Sequence, residues 1–185
     1  MTYFIATFIA SADSLIDPAE RTAQNAADQL TRKAYHMAFD AFLKEAFSGL
    51  TGFANDPAAV GNLEQGPLPP GRYYILDRES GGRLGRIREP LSDLLARTDR
   101  SHWFSLYRDD GSIDDRTVVN NITRGNFRLH PIGPLGLSEG CVTMTSEIAF
   151  NQLSIYLHNM DGDRIPGTEK KHFGILDVID PRTAR

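Results

Sequence analysis

A single cysteine, Cys141, serves the whole 185-residue chain. It has no partner for an intrachain disulfide, and a multi-cysteine zinc site is excluded. Long apolar runs are missing as well. The apolar stretch from Thr2 to Ala10 is far too short to span a bilayer and lacks the basic segment that opens a signal peptide. A short strand is the expected structure there, with no general-secretion address and no membrane span. A protein of this kind acting outside the cytoplasm would need another export route. An excess of basic charge is also lacking: the net charge of −4 speaks against a nucleic-acid partner. The five histidines have no metal-ligand spacing, and Asp109, Asp110, Asp114 and Asp115 fit no calcium loop and read as a solvated hairpin. No metal and no cofactor is expected. Repeats and low-complexity tracts are absent, and 41% hydrophobic residues suffice for one core.

What is present centres on the lone thiol. Cys141 lies in Ser138-Glu139-Gly140-Cys141-Val142-Thr143, eleven residues after His130. A free cysteine is either inert core filler or a nucleophile. Gly140 permits close backbone approach, and Ser138 and Thr143 are polar neighbours, which favours the nucleophile. Side chains of a strand alternate between faces. Over 126–130, Phe127 and Leu129 face a core while Asn126, Arg128 and His130 face away. Over 141–145, Val142 and Met144 face the core while Cys141, Thr143 and Thr145 face away. The loop 131–137, rich in Gly and Pro, can fold back and make the two strands neighbours. His130 as imidazolium would then hold a Cys141 thiolate and lower its pKa. Backbone N–H groups around Gly140 and Cys141 are the natural oxyanion donors. No Asp is placed to orient His130, and Asn126 is poorly placed, so a backbone carbonyl is expected to do so.

The rest of the chain reads as a mainly β (α+β) domain with peripheral helices. Asp17-Pro18-Ala19-Glu20 starts a helix running to about residue 34; 35–47 is ambiguous. Strands are expected at 72–77, 103–107 and 173–179, a turn at Ser80-Gly81-Gly82, and a short helix at 91–97. Ser146 caps a helix to about His158, whose face Ala149, Phe150, Leu153, Tyr156 and Leu157 packs on the sheet. His158 suits the helix C-terminus; His36, His102 and His172 are given no role, the last placed in a polar loop. Arg72, Arg78, Arg83, Arg86, Arg88, Arg124 and Arg128 read mostly as solvated arginines.

Gly125-Asn126-Phe127-Arg128-Leu129-His130-Pro131, followed by Ser138-Glu139-Gly140-Cys141-Val142-Thr143, resembles the L,D-transpeptidase effectors of type VI secretion systems. These are distant relatives of the YkuD-like L,D-transpeptidases. The stretches 47–49, 66–75, 77–85 and 103–111 carry the same likeness, which spans about residues 46–179. The resemblance implies a YkuD-like β-sandwich or barrel and a catalytic domain at 46–185, with 1–45 a variable segment of the same domain. It implies that Cys141 attacks peptidoglycan stem peptides with His130 as its base, and that Ser138 and Gly140 shape the cysteine loop. Water or a D-amino acid then takes the acyl group. Arg128 and Asn126 are expected toward substrate, Arg128 meeting a carboxylate or else pairing with an acid such as Glu139. The implied setting is secretion from the producer cytoplasm into the target-cell periplasm, with a cognate immunity protein and a secretion-system adaptor or spike component as partners. A housekeeping cross-linking enzyme and a non-catalytic peptidoglycan-binding module are the competing readings. Two features depart from the YkuD pattern: Thr143 stands where those enzymes usually carry Arg, and their His–Cys separation is often longer.

Overall fold

The computed structural model describes the backbone of residues 5–9 and residues 46–78, 102–134 and 136–183 in full. The expected helices at 17–34 and 91–97, the turn at 80–82, most of 35–47, and His36, Arg83, Arg86 and Arg88 lie outside these residues. The described part is mainly β with one α-helix. Its strands are β1 (Ile5–Ile9), β2 (Ala46–Phe47), β3 (Gly71–Asp77), β4 (Phe104–Arg108), β5 (Arg116–Val119), β6 (Ile122–Gly125), β7 (Arg128–Pro131), β8 (Val142–Met144), β9 (Asp163–Arg164), β10 (Lys171–His172) and β11 (Gly174–Ile179). The helix, α1, is Glu147–His158.

Seven strands form one sheet in the order β1-β11-β3-β4-β7-β8-β2. Its neighbours are antiparallel except β7 and β8, which run parallel. In β3, next to the central strand β4, four consecutive side chains, Tyr73 to Leu76, are buried. Such a run marks a strand covered on both faces. Tyr73 and Ile75 join the main core with Phe104, Leu106, Leu129, Val142, Met144 and Leu176. Tyr74 and Leu76 point the other way, into a smaller cluster with Tyr107 and Ile165.

The helix α1 covers the main-core face. Ser146 caps it, its Oγ accepting the Ala149 N–H at 3.2 Å, and Glu147 sits in the first turn where the dipole favours an acid. Phe150, Leu153 and Leu157 are buried against the sheet, with Ala149 and Tyr156 packed beside them. Each large buried side chain contributes about 1.5–3 kcal/mol. His158 closes the last turn, its Nε2 3.0 Å from Asp77 Oδ1 at the end of β3. His172 is not in a polar loop. It belongs to β10, is buried, and tilts against Tyr74 at 5.0 Å between ring centres; burial lowers its pKa.

A separate hairpin, β5–β6, turns through Asn120 and Asn121, both left-handed (φ 53° and 62°). A two-residue turn of this type requires that conformation, and Asn adopts it more readily than most residues. The chain leaves the hairpin at Gly125, where a Cβ would lie 2.1 Å from the Asp115 carbonyl oxygen. Only glycine fits there, and the contact brings Asp115 beside the start of β7.

Candidate active site

The site lies on the sheet face opposite α1, where β4, β7 and β8 run side by side. Their register pairs Ser105 with Arg128, Leu129 with Val142, and His130 with Thr143. Continuing the same register sets Trp103 opposite His130 and Cys141 beside Arg128. Alternation puts Arg128, His130 and Thr143 on one face, and Cys141, at the mouth of β8, lies close to Arg128. Two rows cross the strands, Ser105–Arg128–Cys141 and Trp103–His130–Thr143, with Cys141 and His130 diagonal neighbours. Diagonal positions on adjacent strands lie within reach of long side chains. The parallel pairing of β7 with β8 creates this arrangement, and the loop 132–141 makes the crossover without a helix.

Two strand limits differ from the expectation. β8 begins at Val142, so Cys141 stands at its mouth, half-buried, rather than within it. β7 begins at Arg128, because Asn126 is left-handed (φ 57°) and breaks the strand. The Asn126 side chain therefore does not share the His130 face through strand alternation. Its contact with the thiol is through the backbone: Cys141 Sγ points to the Asn126 carbonyl at 3.8 Å.

His130 is buried and held on every side. Its Nδ1 lies 2.8 Å from the Pro131 carbonyl, an acceptor, so Nδ1 carries a proton. A backbone carbonyl is thus the orienter. Nε2 lies 3.3 Å from Thr143 Oγ1, and Trp103 stacks on the ring at 4.2 Å with 18° between planes. Arg78 in turn lies over Trp103 at 5.7 Å. Sequence reasoning assigned no role to Thr143 or Trp103. Their signal was cross-strand position, which appears only once the register is known.

Arg128 is engaged through both terminal nitrogens. Nη1 and Nη2 grip Asp115 Oδ1 and Oδ2 at 2.7 and 2.5 Å, and Nη1 also reaches the Phe127 carbonyl at 2.8 Å. The fork expected to meet a substrate carboxylate is closed on Asp115, and the paired acid is Asp115 rather than Glu139. Asp115 is accordingly no member of a solvated acidic hairpin. The neighbouring acids are also engaged: Asp110 accepts from Thr117, and Asp114 from the Arg116 N–H.

Ser138 and Gly140 lie in the turn that carries Cys141. Ser138, fully buried, donates from Oγ to the Cys141 carbonyl at 2.8 Å. Gly140 has φ +95°, and a Cβ there would meet Arg124 Nη2 at 2.5 Å and the Gly66 carbonyl at 3.3 Å. Any other residue would be strained and would collide. The thiol itself departs from the ion-pair expectation. Burial pushes its pKa up to about 11, against the lowering effect of the Arg128 backbone N–H and guanidinium, with Glu139 and Asp115 adding to the rise. The thiol is therefore protonated at rest near neutral pH.

Among the described residues, no group of three or more His, Cys, Asp or Glu could hold a metal ion, and no helix is long and apolar enough to cross a membrane. No curated protein and no solved structure matches the chain. A family model described as the Tlde1 domain matches residues 43–168, a span that includes every residue of the two cross-strand rows. That match covers most of the chain, which therefore belongs to the Tlde1 domain family, the type VI secretion effectors of the L,D-transpeptidase type.

Proposed function

We propose that the protein is a cysteine L,D-carboxypeptidase and L,D-transpeptidase acting on the tetrapeptide stems of peptidoglycan. The observation that carries the reading is the parallel register of β7 and β8, which sets His130 beside Thr143 with Cys141 one residue before β8, and the imidazole tied through Nδ1 to Pro131. A neutral imidazole held in this way offers Nε2 as a base. As substrate binds, the Cys141 Sγ attacks the carbonyl of the bond between the diamino acid and the terminal D-Ala, and its proton passes to Nε2. The oxyanion is met by the amides of Gly140 and Cys141. His130 then returns the proton to the departing D-Ala amine, leaving a thioester on Cys141. Water, deprotonated by His130, releases a tripeptide and the free thiol; a D-amino acid amine instead gives an exchanged stem. A protonated resting thiol suits this sequence, because the proton moves during attack rather than before it.

The family places the protein among secreted effectors. In this reading it leaves the producer cytoplasm through an adaptor or spike component and acts in the target-cell periplasm. The producer carries a cognate immunity protein. The test is incubation with tetrapeptide muropeptides, with and without a D-amino acid, read by mass spectrometry. Loss or exchange of D-Ala is expected, abolished in Cys141→Ala. Untouched tetrapeptide would refute the reading, and 3–3 cross-links as the main product would point to a housekeeping enzyme. Expression with a periplasmic signal should harm a bacterial host while cytoplasmic expression does not. Cys141→Ala as toxic as the wild type would favour a binding module.

A further inference from the structure

Arg124, on β6, is a buried cation, 5% exposed, beneath the cysteine turn. Its donors are satisfied by backbone carbonyls: Nη1 reaches Val60 at 2.7 Å and Pro67 at 2.6 Å, and Nη2 reaches Gly66 at 2.8 Å. The guanidinium also lies 5.2 Å from the centre of the Phe127 ring. No carboxylate pairs with it among the described residues. Buried charges are ordinarily paired, since desolvation makes them costly. Carbonyl dipoles satisfy the hydrogen-bond donors but leave the net charge in place. Arg128 differs, because Asp115 neutralises it.

The position of this charge is specific. Gly140 packs directly on Arg124 Nη2, so the guanidinium forms the floor of the turn whose next residue is Cys141. Burial lowers the pKa of the guanidinium, while charges on Tyr73 and Cys141 raise it.

We infer that Arg124 is a positioning residue for the nucleophile: it braces the Gly140–Cys141 turn against the 60–67 segment and holds beneath it a positive charge that no carboxylate among the described residues pairs with. The inference rests on Cys141 being the nucleophile proposed above. The brace keeps the amides of the turn aimed at the developing oxyanion. The charge favours the anionic sulfur and oxygen that appear during attack.

The experiment compares alkylation of the thiol by anionic iodoacetate and neutral iodoacetamide, in the wild type and in Arg124→Lys and Arg124→Met, with muropeptide turnover measured in parallel. In the wild type at low salt, the iodoacetate-to-iodoacetamide rate ratio should exceed that of free cysteine by about tenfold. Salt should reduce the excess. Arg124→Lys should keep the excess, and Arg124→Met should fall to the free-cysteine ratio. Turnover in Arg124→Met should fall about 100-fold with KM within about threefold of wild type. A wild-type ratio equal to that of free cysteine would overturn the inference whether or not the variants fold. So would a folded Arg124→Met with wild-type turnover. A wild type inactive on muropeptides with the ratio intact would sink the proposed function and leave the role of Arg124 toward the thiol standing.

Discussion

A thiol lifted to about pKa 11 should be slow toward simple electrophiles, and the delay can be worked out. At about pH 7.5, a free thiol of pKa about 8.5 is about 9% thiolate. A thiol at about 11 is only about 0.03% thiolate, roughly 300-fold less. Nucleophilicity rises with basicity, with a Brønsted slope of about 0.4–0.5, which returns about tenfold. Cys141 should therefore react with iodoacetamide roughly twentyfold to thirtyfold more slowly than free cysteine, with a rate that climbs tenfold per pH unit through pH ~10. The same displacement makes stability pH-dependent. The folded-state pKa lies above that of the free thiol, so the contribution is complete below about pH 8.5 and is lost as the pH rises through about 11. About 2–3 kcal/mol is involved, and Cys141→Ser should remove that alkaline decline. The assays are stopped alkylation followed by mass spectrometry from about pH 6 to 10.5, and urea unfolding over the same range. An alkylation midpoint below about 8.5 would refute the reasoning, because it would mean that a thiolate–imidazolium pair exists at rest.

Asp115→Ala leaves the Arg128 guanidinium, 14% exposed, without its bidentate partner. A loss of about 2–3 kcal/mol is expected, below the usual figure for fully buried pairs because Asp115 is 30% exposed, and calorimetry should show Tm lower by about 7 °C. Arg128→Lys keeps the charge but loses the fork: an anchoring role predicts lower Tm and slower alkylation by a neutral reagent, whereas a substrate-carboxylate role predicts a raised KM with unchanged Tm. Thr143→Val removes the hydroxyl at His130 Nε2 while keeping the shape; kcat/KM on muropeptides should fall about tenfold and recover in Thr143→Ser, and identical kinetics would dismiss the contact. Leu153→Ala should cost about 3 kcal/mol in urea unfolding by opening a cavity between α1 and the sheet, and a cost below about 1 kcal/mol would contradict that packing.

Local rules made much of this protein legible from its residues. Alternation placed Phe127, Leu129, Val142 and Met144 in the core and His130 and Thr143 on the other face, because strand geometry allows nothing else. Ser146 as a cap and the Phe150–Leu153–Leu157 stripe defined α1 for the same reason: capping and amphipathic spacing act within a few residues. A candidate nucleophile and base could be named because Cys and His carry their chemistry in the side chain. Asn126 escaped this logic, since its backbone is left-handed and β7 begins two residues later, at Arg128.

Tertiary structure alone decided what surrounds the pair. The grip of Arg128 on Asp115 depends on a hairpin whose Asn120–Asn121 turn is local but whose docking is not. Arg124 meets the Pro67 carbonyl across 57 residues of sequence, and Trp103 meets His130 only because β4 and β7 pair in one register. The charge state of the thiol followed the same division. Sequence proximity to a histidine suggested a lowered pKa, but the pKa is set by how much water the folded chain removes from the sulfur, and burial outweighs the attraction of the nearby arginine. Residue type determined which groups could react; packing between distant segments determined the state in which they wait.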